Sequence, residues 1–290
     1  MSDSRTAYRS GRFEAKPIAG STFGYELDVD LNSNLSSEDR EALRQVFVRD
    51  GLVLFHNQKF SMDQQIDACS IFGPVLRDSI ENYLVSNVEK DGLLGDRELL
   101  FHVDVPYVPA PYLGGSLHAL KVDGGVSATR FISAFRAWER LPEALKQRID
   151  GLNTLQIKGK AIGRPTRMID LEPGDNCAVH ALVGRQEETG RPYIFANIDM
   201  TGCIIGMSEA ESSDLLQQLY DHMYQPDEVF EHQWQVGDFI VWNNLAVQHA
   251  RSRITGGTRT LQRVTIAKYG YWEQYPADLP LYQALQQNAA

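Results

Sequence analysis

Apolar positions change period several times along the chain, and each change marks an expected element. Phe23 to Val29 alternate apolar and polar residues, the pattern of an early strand or ribbon. Leu43, Val46 and Phe47 then recur at helical spacing behind Ser36-Ser37-Glu38-Asp39, a start with acidic residues in the first turn, and Asp50-Gly51 closes that helix. Leu52-Val53-Leu54-Phe55 reads as a short buried strand. A second capped start, Ser61-Met62-Asp63-Gln64-Gln65, opens a helix that runs to about Phe72, where Gly73-Pro74 stops it.

Residues 75–98 are charged and polar and read as a loop over a site rather than a linker. Behind them Leu100-Phe101-His102-Val103-Asp104-Val105-Pro106-Tyr107 is a strand-like run, and Ser116 to Leu120 is another strand pattern. Asp123-Gly124-Gly125 is a turn. Helices are expected from about Ser133 to Leu141, from Pro142 onward, and from a cap at Ser208 to about Met223. Residues 159–175 form a basic loop broken by Gly and Pro, and Glu187-Glu188-Thr189-Gly190-Arg191 is a hairpin turn. Gly237-Asp238 opens a buried strand through Trp242-Asn243-Asn244, after which a short loop delivers His249. Arg259 to Ile266 closes the pattern as a further strand.

Within this frame a few polar groups sit where an apolar run has no local use for them. On an extended strand His102 and Asp104, two apart, leave one face, while Val103 turns into packing. Buried without partners they would be costly, and a divalent metal satisfies both. Taken alone the pair is equally an exposed His beside a surface Asp. His249, arriving from the far end of the chain, completes two His and one carboxylate, the donor set expected of a non-haem Fe(II) centre with open positions. Arg259 and Arg263 are four apart, an even spacing that sends both guanidinium groups to one face of a strand. The remaining histidines, His56, His118, His180, His222 and His232, read as loop, surface or packing residues, and Trp234 and Trp242 as core.

Composition narrows the partners. The chain has 290 residues, 43% of them hydrophobic and 23% charged, enough to bury a sizeable core. A net charge of -10 argues against nucleic acid or an anionic membrane as the main partner, although two local arginines can still hold a small anion. No run approaches the roughly 20 apolar residues of a membrane span, and the first twelve residues lack the apolar core of a signal peptide. Cys69, Cys177 and Cys203 have no metal-ligand spacing and read as reduced thiols, so a cytoplasmic protein is expected.

At this point the sequence resembles the taurine dioxygenase and 2,4-dichlorophenoxyacetate dioxygenase family of Fe(II)- and 2-oxoglutarate-dependent oxygenases. The likeness runs through Gly51-Leu52-Val53-Leu54-Phe55, Phe72-Gly73-Pro74, His102-Val103-Asp104, Gly124-Gly125 with Thr129-Arg130-Phe131, Thr189-Gly190-Arg191, Gly237-Asp238, Trp242-Asn243-Asn244, His249, Arg259 and Arg263. It implies that His102, Asp104 and His249 bind Fe(II), that Thr129 and Arg259 hold the distal carboxylate of 2-oxoglutarate, and that Arg263 faces the substrate. O2 is the second cosubstrate, and succinate and CO2 are released.

The expected fold is an all-β core with bracing helices, a double-stranded β-helix or jelly roll, in one domain over residues 1–290. The expected reaction is oxidation, foremost hydroxylation, of a small organic anion, with Tyr107 and Tyr112 walling its apolar part. Arg263 needs a partner, either a protein carboxylate or an anionic group on the substrate. The same chemistry can end in desaturation or ring formation. A zinc hydrolase would need a positioned general base, and a non-catalytic jelly roll has no use for three metal ligands. A homo-oligomer is expected.

Overall fold

The structure, a computed structural model, describes residues 5–77, 79, 81–123 and 128–274. Two sheets face each other. The larger carries the strands Tyr8–Ser10, Phe13–Pro17, Tyr25–Leu27, Leu52–Phe55, Phe239–Asn243, Gly114–Asp123, Thr258–Ile266, Tyr83–Ser86 and Leu93–Leu94 in that spatial order. The smaller carries Phe230–Gln233, Ala128–Ser133, Val247–Arg251 and Leu99–His102. Leu52, Leu54, Leu117, Ile240, Trp242 and Leu261 of the first meet Phe131, Phe230 and Val247 of the second in one apolar cluster, the interior of a jelly roll. No helix of the described residues is long and apolar enough to cross a membrane.

The outer face of the large sheet explains the unbroken apolar runs. Val53, Phe55, Phe239, Val241 and Val264 point away from the barrel and pack under Leu43, Val46, Phe47 and Ile66 of the helices Ser37–Asp50 and Met62–Cys69. A strand covered on both faces has no polar side to show, so alternation disappears. Both helices begin with a complete capping box, at Ser36 with Asp39 and at Ser61 with Gln64. Gly51 ends the first in the left-handed region at φ 75°, as glycine at that position permits. The second stops at Cys69, three residues short of the expected end. A third set of helices, Ala134–Arg140 and Glu209–Met223, packs over the small sheet with Val103 and Ile132.

Other expectations change. Residues 75–98 are only partly loop, since Tyr83–Ser86 is a strand paired with Thr258–Ile266. Its partner lies about 180 positions away, so nothing local announces it. The strand at 100–107 ends at His102, leaving Asp104 in a bend beyond it. His249 lies inside the strand Val247–Arg251 rather than in a loop. The Gly124-Gly125 turn lies outside the described residues. Arg259 and Arg263 pair with Val122 and Leu117, five apart on the neighbouring strand. The register shift between Thr260 and Leu261 thus puts the extra residue, Leu120, on the Gly114–Asp123 strand. The arginine strand stays straight, and its four-residue spacing keeps both guanidinium groups on one face.

One contact in this interior is close enough to test. Gly115 pairs with Trp242, and a Cβ at Gly115 would lie 2.6 Å from the Trp242 ring. Gly115→Val should therefore destabilise the fold by about 1–3 kcal/mol through overpacking, read as a lower urea midpoint at unchanged slope.

Candidate metal and cosubstrate site

Three side chains converge where the small sheet meets the bend after Leu99–His102. His102 Nδ1 lies 2.7 Å from the Leu100 carbonyl. A carbonyl only accepts, so that nitrogen carries the proton and Nε2 keeps its lone pair. Nε2 then faces Asp104 Oδ1 at 3.6 Å, while His249 Nε2 faces Asp104 Oδ2 at 3.7 Å. The donor atoms of the three lie within 4.8 Å of one another, and all three residues are buried. These separations exceed a hydrogen bond, and lone pairs face a carboxylate with no proton between His102 and Asp104. A divalent cation relieves that arrangement, so the residues fit a metal.

The convergence does not come from strand period alone. Asp104 lies past the strand end, and the next residue, Val105, takes φ 51°, a left-handed conformation costly for a β-branched side chain. Asn244 holds the bend: its Oδ1 accepts from Asp104 N at 2.8 Å, and its Nδ2 donates to the carbonyls of Asp104 and Tyr112, each at 2.9 Å. The His249 ring is set by packing, 4.8 Å from Trp242 and 4.2 Å from His102 between ring centroids.

Burial works against charge on Asp104, but the Arg263 guanidinium against it holds its carboxyl well below the ordinary carboxylate value. Burial, then the neighbouring His102, pushes His249 down to about 3, so its ring is neutral at physiological pH. Burial also opposes protonation of His102, yet the negative charge of the adjacent Asp104 outweighs it and the shift is upward.

Arg263 departs from expectation. Its Nη1 and Nη2 donate to Asp104 Oδ1 and Oδ2 at 3.2 and 2.8 Å, a bidentate ion pair. The partner it needs is thus a protein carboxylate; among the described residues its Nε alone lacks one. Arg259, four residues earlier and equally buried, is the opposite case. Among the described residues only its Nη2 is engaged, on Thr129 Oγ1 at 3.0 Å, and Nε and Nη1 have no partner. Burial pulls its guanidinium down to about 9, the mark of a cation without an anion. Thr129 Oγ1 also accepts from Trp234 Nε1 at 2.9 Å. With both lone pairs engaged, the Thr129 hydroxyl proton is free for an incoming acceptor.

These groups open on one cavity of about 560 Å³, whose lining includes Tyr83, Tyr107, Tyr112, Lys158, Asp199 and Trp272. Tyr107 and Tyr112 both line this cavity. Burial raises both their hydroxyls above the ordinary tyrosine value, so both stay protonated. Lys158 also lines the cavity, with Nζ 3.1 Å from the Tyr271 hydroxyl.

Other polar contacts between distant segments carry no signal in the sequence. His56 Nδ1 and His232 Nε2 sit 2.6 and 3.0 Å from the two oxygens of Asp238, and Gln235 N donates to the second oxygen at 2.9 Å. The Gly237-Asp238 motif thus ties three segments together. Its only sequence signal was the motif itself. Trp234 is core, as its residue type predicts, and also donates to Thr129, and Arg251, which no motif marks, lines the cavity too.

The family model for the taurine catabolism dioxygenase TauD, TfdA family matches residues 14–265. The chain belongs to that family. It is a dioxygenase dependent on Fe(II), 2-oxoglutarate (α-ketoglutarate) and O2. It is 28% identical over 262 residues to the (S)-phenoxypropionate/alpha-ketoglutarate-dioxygenase of Sphingobium herbicidovorans, covering 83% of this chain and 89% of that one. Over 203 residues it is 28% identical to pentalenolactone F synthase of Streptomyces avermitilis, covering 64% and 66% of the two chains. Its fold resembles a taurine dioxygenase from Burkholderia xenovorans, with TM-score 0.73 and 24% identity over 88% of this chain and 90% of that one. AAD-2, solved in complex with Mn(II) and N-oxalylglycine, has the same fold, with TM-score 0.73 and 21% identity over 89% and 98% of the chains.

Asn244 gives the first test of this site. Asn244→Ala releases the bend that aims Asp104, and such supporting groups typically contribute about 10–100-fold in metal affinity. Mn(II) titration calorimetry on the folded variant should show a loss in that range.

Proposed function

We propose that the chain oxidises a small organic anion, foremost by hydroxylation, with His102, Asp104 and His249 as the iron ligands and Thr129 and Arg259 as the seat of the distal carboxylate of 2-oxoglutarate. The observation that carries the reading is the pairing of an intact two-histidine, one-carboxylate donor set with a buried guanidinium that has no anion, both opening on one cavity. Bound Fe(II) supplies the position at which 2-oxoglutarate and O2 react, releasing succinate and CO2.

The protein's own groups divide the remaining work. Asp104 enters as a carboxylate because Arg263 keeps it ionised, and His249 enters neutral, so those two donors are in the protonation states a divalent metal requires. Arg259 offers two free nitrogens in a planar fork and Thr129 a free hydroxyl proton, matched to a carboxylate. Tyr83, Tyr107, Tyr112 and Trp272 give the cavity an aromatic lining.

An anionic substrate is supported by the relatives' names, phenoxypropionate and 2,4-dichlorophenoxyacetate, and by Lys158 and the free Nε of Arg263 at the wall. A second reading is ring formation or desaturation of a less charged biosynthetic intermediate. Pentalenolactone F synthase among the relatives favours it, as does the pairing of Arg263 with Asp104, which leaves little of that guanidinium for substrate.

Two experiments test the assignment. His249→Ala should lose Mn(II) binding and substrate-dependent succinate formation while keeping its far-ultraviolet spectrum; wild-type succinate yield would remove His249 from the site. Arg259→Lys keeps the charge but loses the fork, and should weaken 2-oxoglutarate about tenfold or more. For the substrate, turnover is screened across aryloxyalkanoates, sulfonates, sulfate esters and their neutral amides or alcohols. Preference for the acids is expected, and a preference for neutral compounds would overturn the anion reading while leaving the dioxygenase intact.

A further inference from the structure

Arg251 is buried, 3% exposed, and lines the same cavity as His249, Thr129 and Arg259. It lies two residues past His249 on the strand Val247–Arg251 and is directly opposite Thr129 in register on the strand Ala128–Ser133. Residues two apart on a strand share a face, and so do residues directly opposite on antiparallel neighbours. His249, Arg251 and Thr129 therefore project from one face of the small sheet into one space.

The guanidinium of Arg251 is half used. Its Nε donates to the Arg97 carbonyl at 3.0 Å, and its Nη2 reaches that carbonyl and, at 3.2 Å, the Leu94 carbonyl. Among the described residues Nη1 has no partner and no carboxylate forms an ion pair with Arg251. The turn it grips holds one costly backbone conformation, because Leu94 takes φ 70°. Leu94 and Leu99, on either side of that turn, line the cavity. Arg251 thus reaches in two directions, towards a strained wall segment and towards an end of the cavity where Arg259 and Thr129 also offer unused donors.

We propose that Arg251 is a second guanidinium of the cosubstrate site: its free Nη1 meets the distal carboxylate of 2-oxoglutarate beside Arg259 and Thr129, while its other two nitrogens pin the 94–97 turn, so that cosubstrate binding orders that wall. The inference rests on the reading that the distal carboxylate sits at Thr129 and Arg259. Two buried cations repel when the site is empty, and one carboxylate between them turns that repulsion into attraction. Part of the cosubstrate's binding energy then stabilises the turn, and the substrate-facing wall contributed by Leu94 becomes coupled to a ligand it does not touch.

The test uses the Mn(II)-loaded full chain in four forms: wild type, Arg251→Met, Arg251→Lys and Arg259→Met. Calorimetry measures binding of 2-oxoglutarate and of 2-oxobutyrate, a 2-oxo acid without the distal carboxylate, and hydrogen exchange follows the amides of residues 94–97. In Arg251→Met we expect at least tenfold weaker 2-oxoglutarate with 2-oxobutyrate unchanged within twofold. Arg251→Lys should fall between it and wild type, and answers the question if the methionine variant fails to fold. In wild type 2-oxoglutarate should slow exchange at 94–97, and in Arg251→Met it should not. Equal weakening of both oxo acids would make Arg251 purely structural and overturn the proposal. A loss of 2-oxoglutarate affinity in Arg259→Met with none in either Arg251 variant would overturn it too, leaving the underlying reading intact. No loss in Arg259→Met would overturn that reading and the inference with it.

Discussion

The arrangement depends on keeping one carboxylate charged in a place with almost no water. Left alone at its depth, Asp104 would take up a proton rather than bear a buried charge. Arg263 prevents this with a two-pronged ion pair, and Asn244 fixes the backbone that aims the group. A buried pair of this kind contributes little net stability, because both ions lose their water. Its value lies in the protonation state it enforces: a metal meets an ionised oxygen donor and, at His249, a neutral imidazole without first displacing a proton.

Arg259 and Arg263 share a strand and a face yet have opposite electrostatic fates. Arg263 is satisfied within the protein, and Arg259 is left with two unpaired nitrogens. A folded chain that tolerates an uncompensated buried cation gives up stability there, as functional sites commonly do. The bulge at Leu120 lets both side chains reach the interior, since it takes up the register change on the neighbouring strand instead of the arginine strand. The large sheet thus provides one internal clamp and one guanidinium without an anion among the described residues from a single run of nine residues.

Much of this was legible in the sequence, for uneven reasons. The capped helices and the strands Leu52–Phe55 and Phe239–Asn243 announce themselves through local patterns, and the structure has them. His102, Asp104 and His249 were found from residue type and order, although the geometric argument for the first two was incomplete, since the strand stops at His102 and Asn244 does the aiming. What stayed hidden shares a cause. Tyr83–Ser86 as a strand, Asp238 between His56 and His232, Trp234 on Thr129 and the clamp of Arg263 on Asp104 are each made by partners far apart in the chain. No periodicity encodes such pairings, and a basic stretch such as Arg251-Ser252-Arg253 looks like surface until the strand is placed.

The division between strand and loop also explains why reaction class is readable and substrate is not. His249, Thr129, Arg259 and Arg263 lie on strands locked by ladders on both sides, where a displaced donor would disturb the whole register. Tyr107, Lys158, Asp199 and Trp272, further residues of the cavity wall, come from turns, loops and the short helix Tyr271–Gln274. Charge at that wall is mixed, with Lys158 against the Tyr271 ring and the carboxylates of Glu81 and Asp199 facing the same space. A mixed wall attracts an anion only at particular points and repels it at others. Discrimination among substrates therefore falls to the placement of charges relative to an aromatic surface, and two relatives with the same iron and cosubstrate groups can differ entirely in what they oxidise.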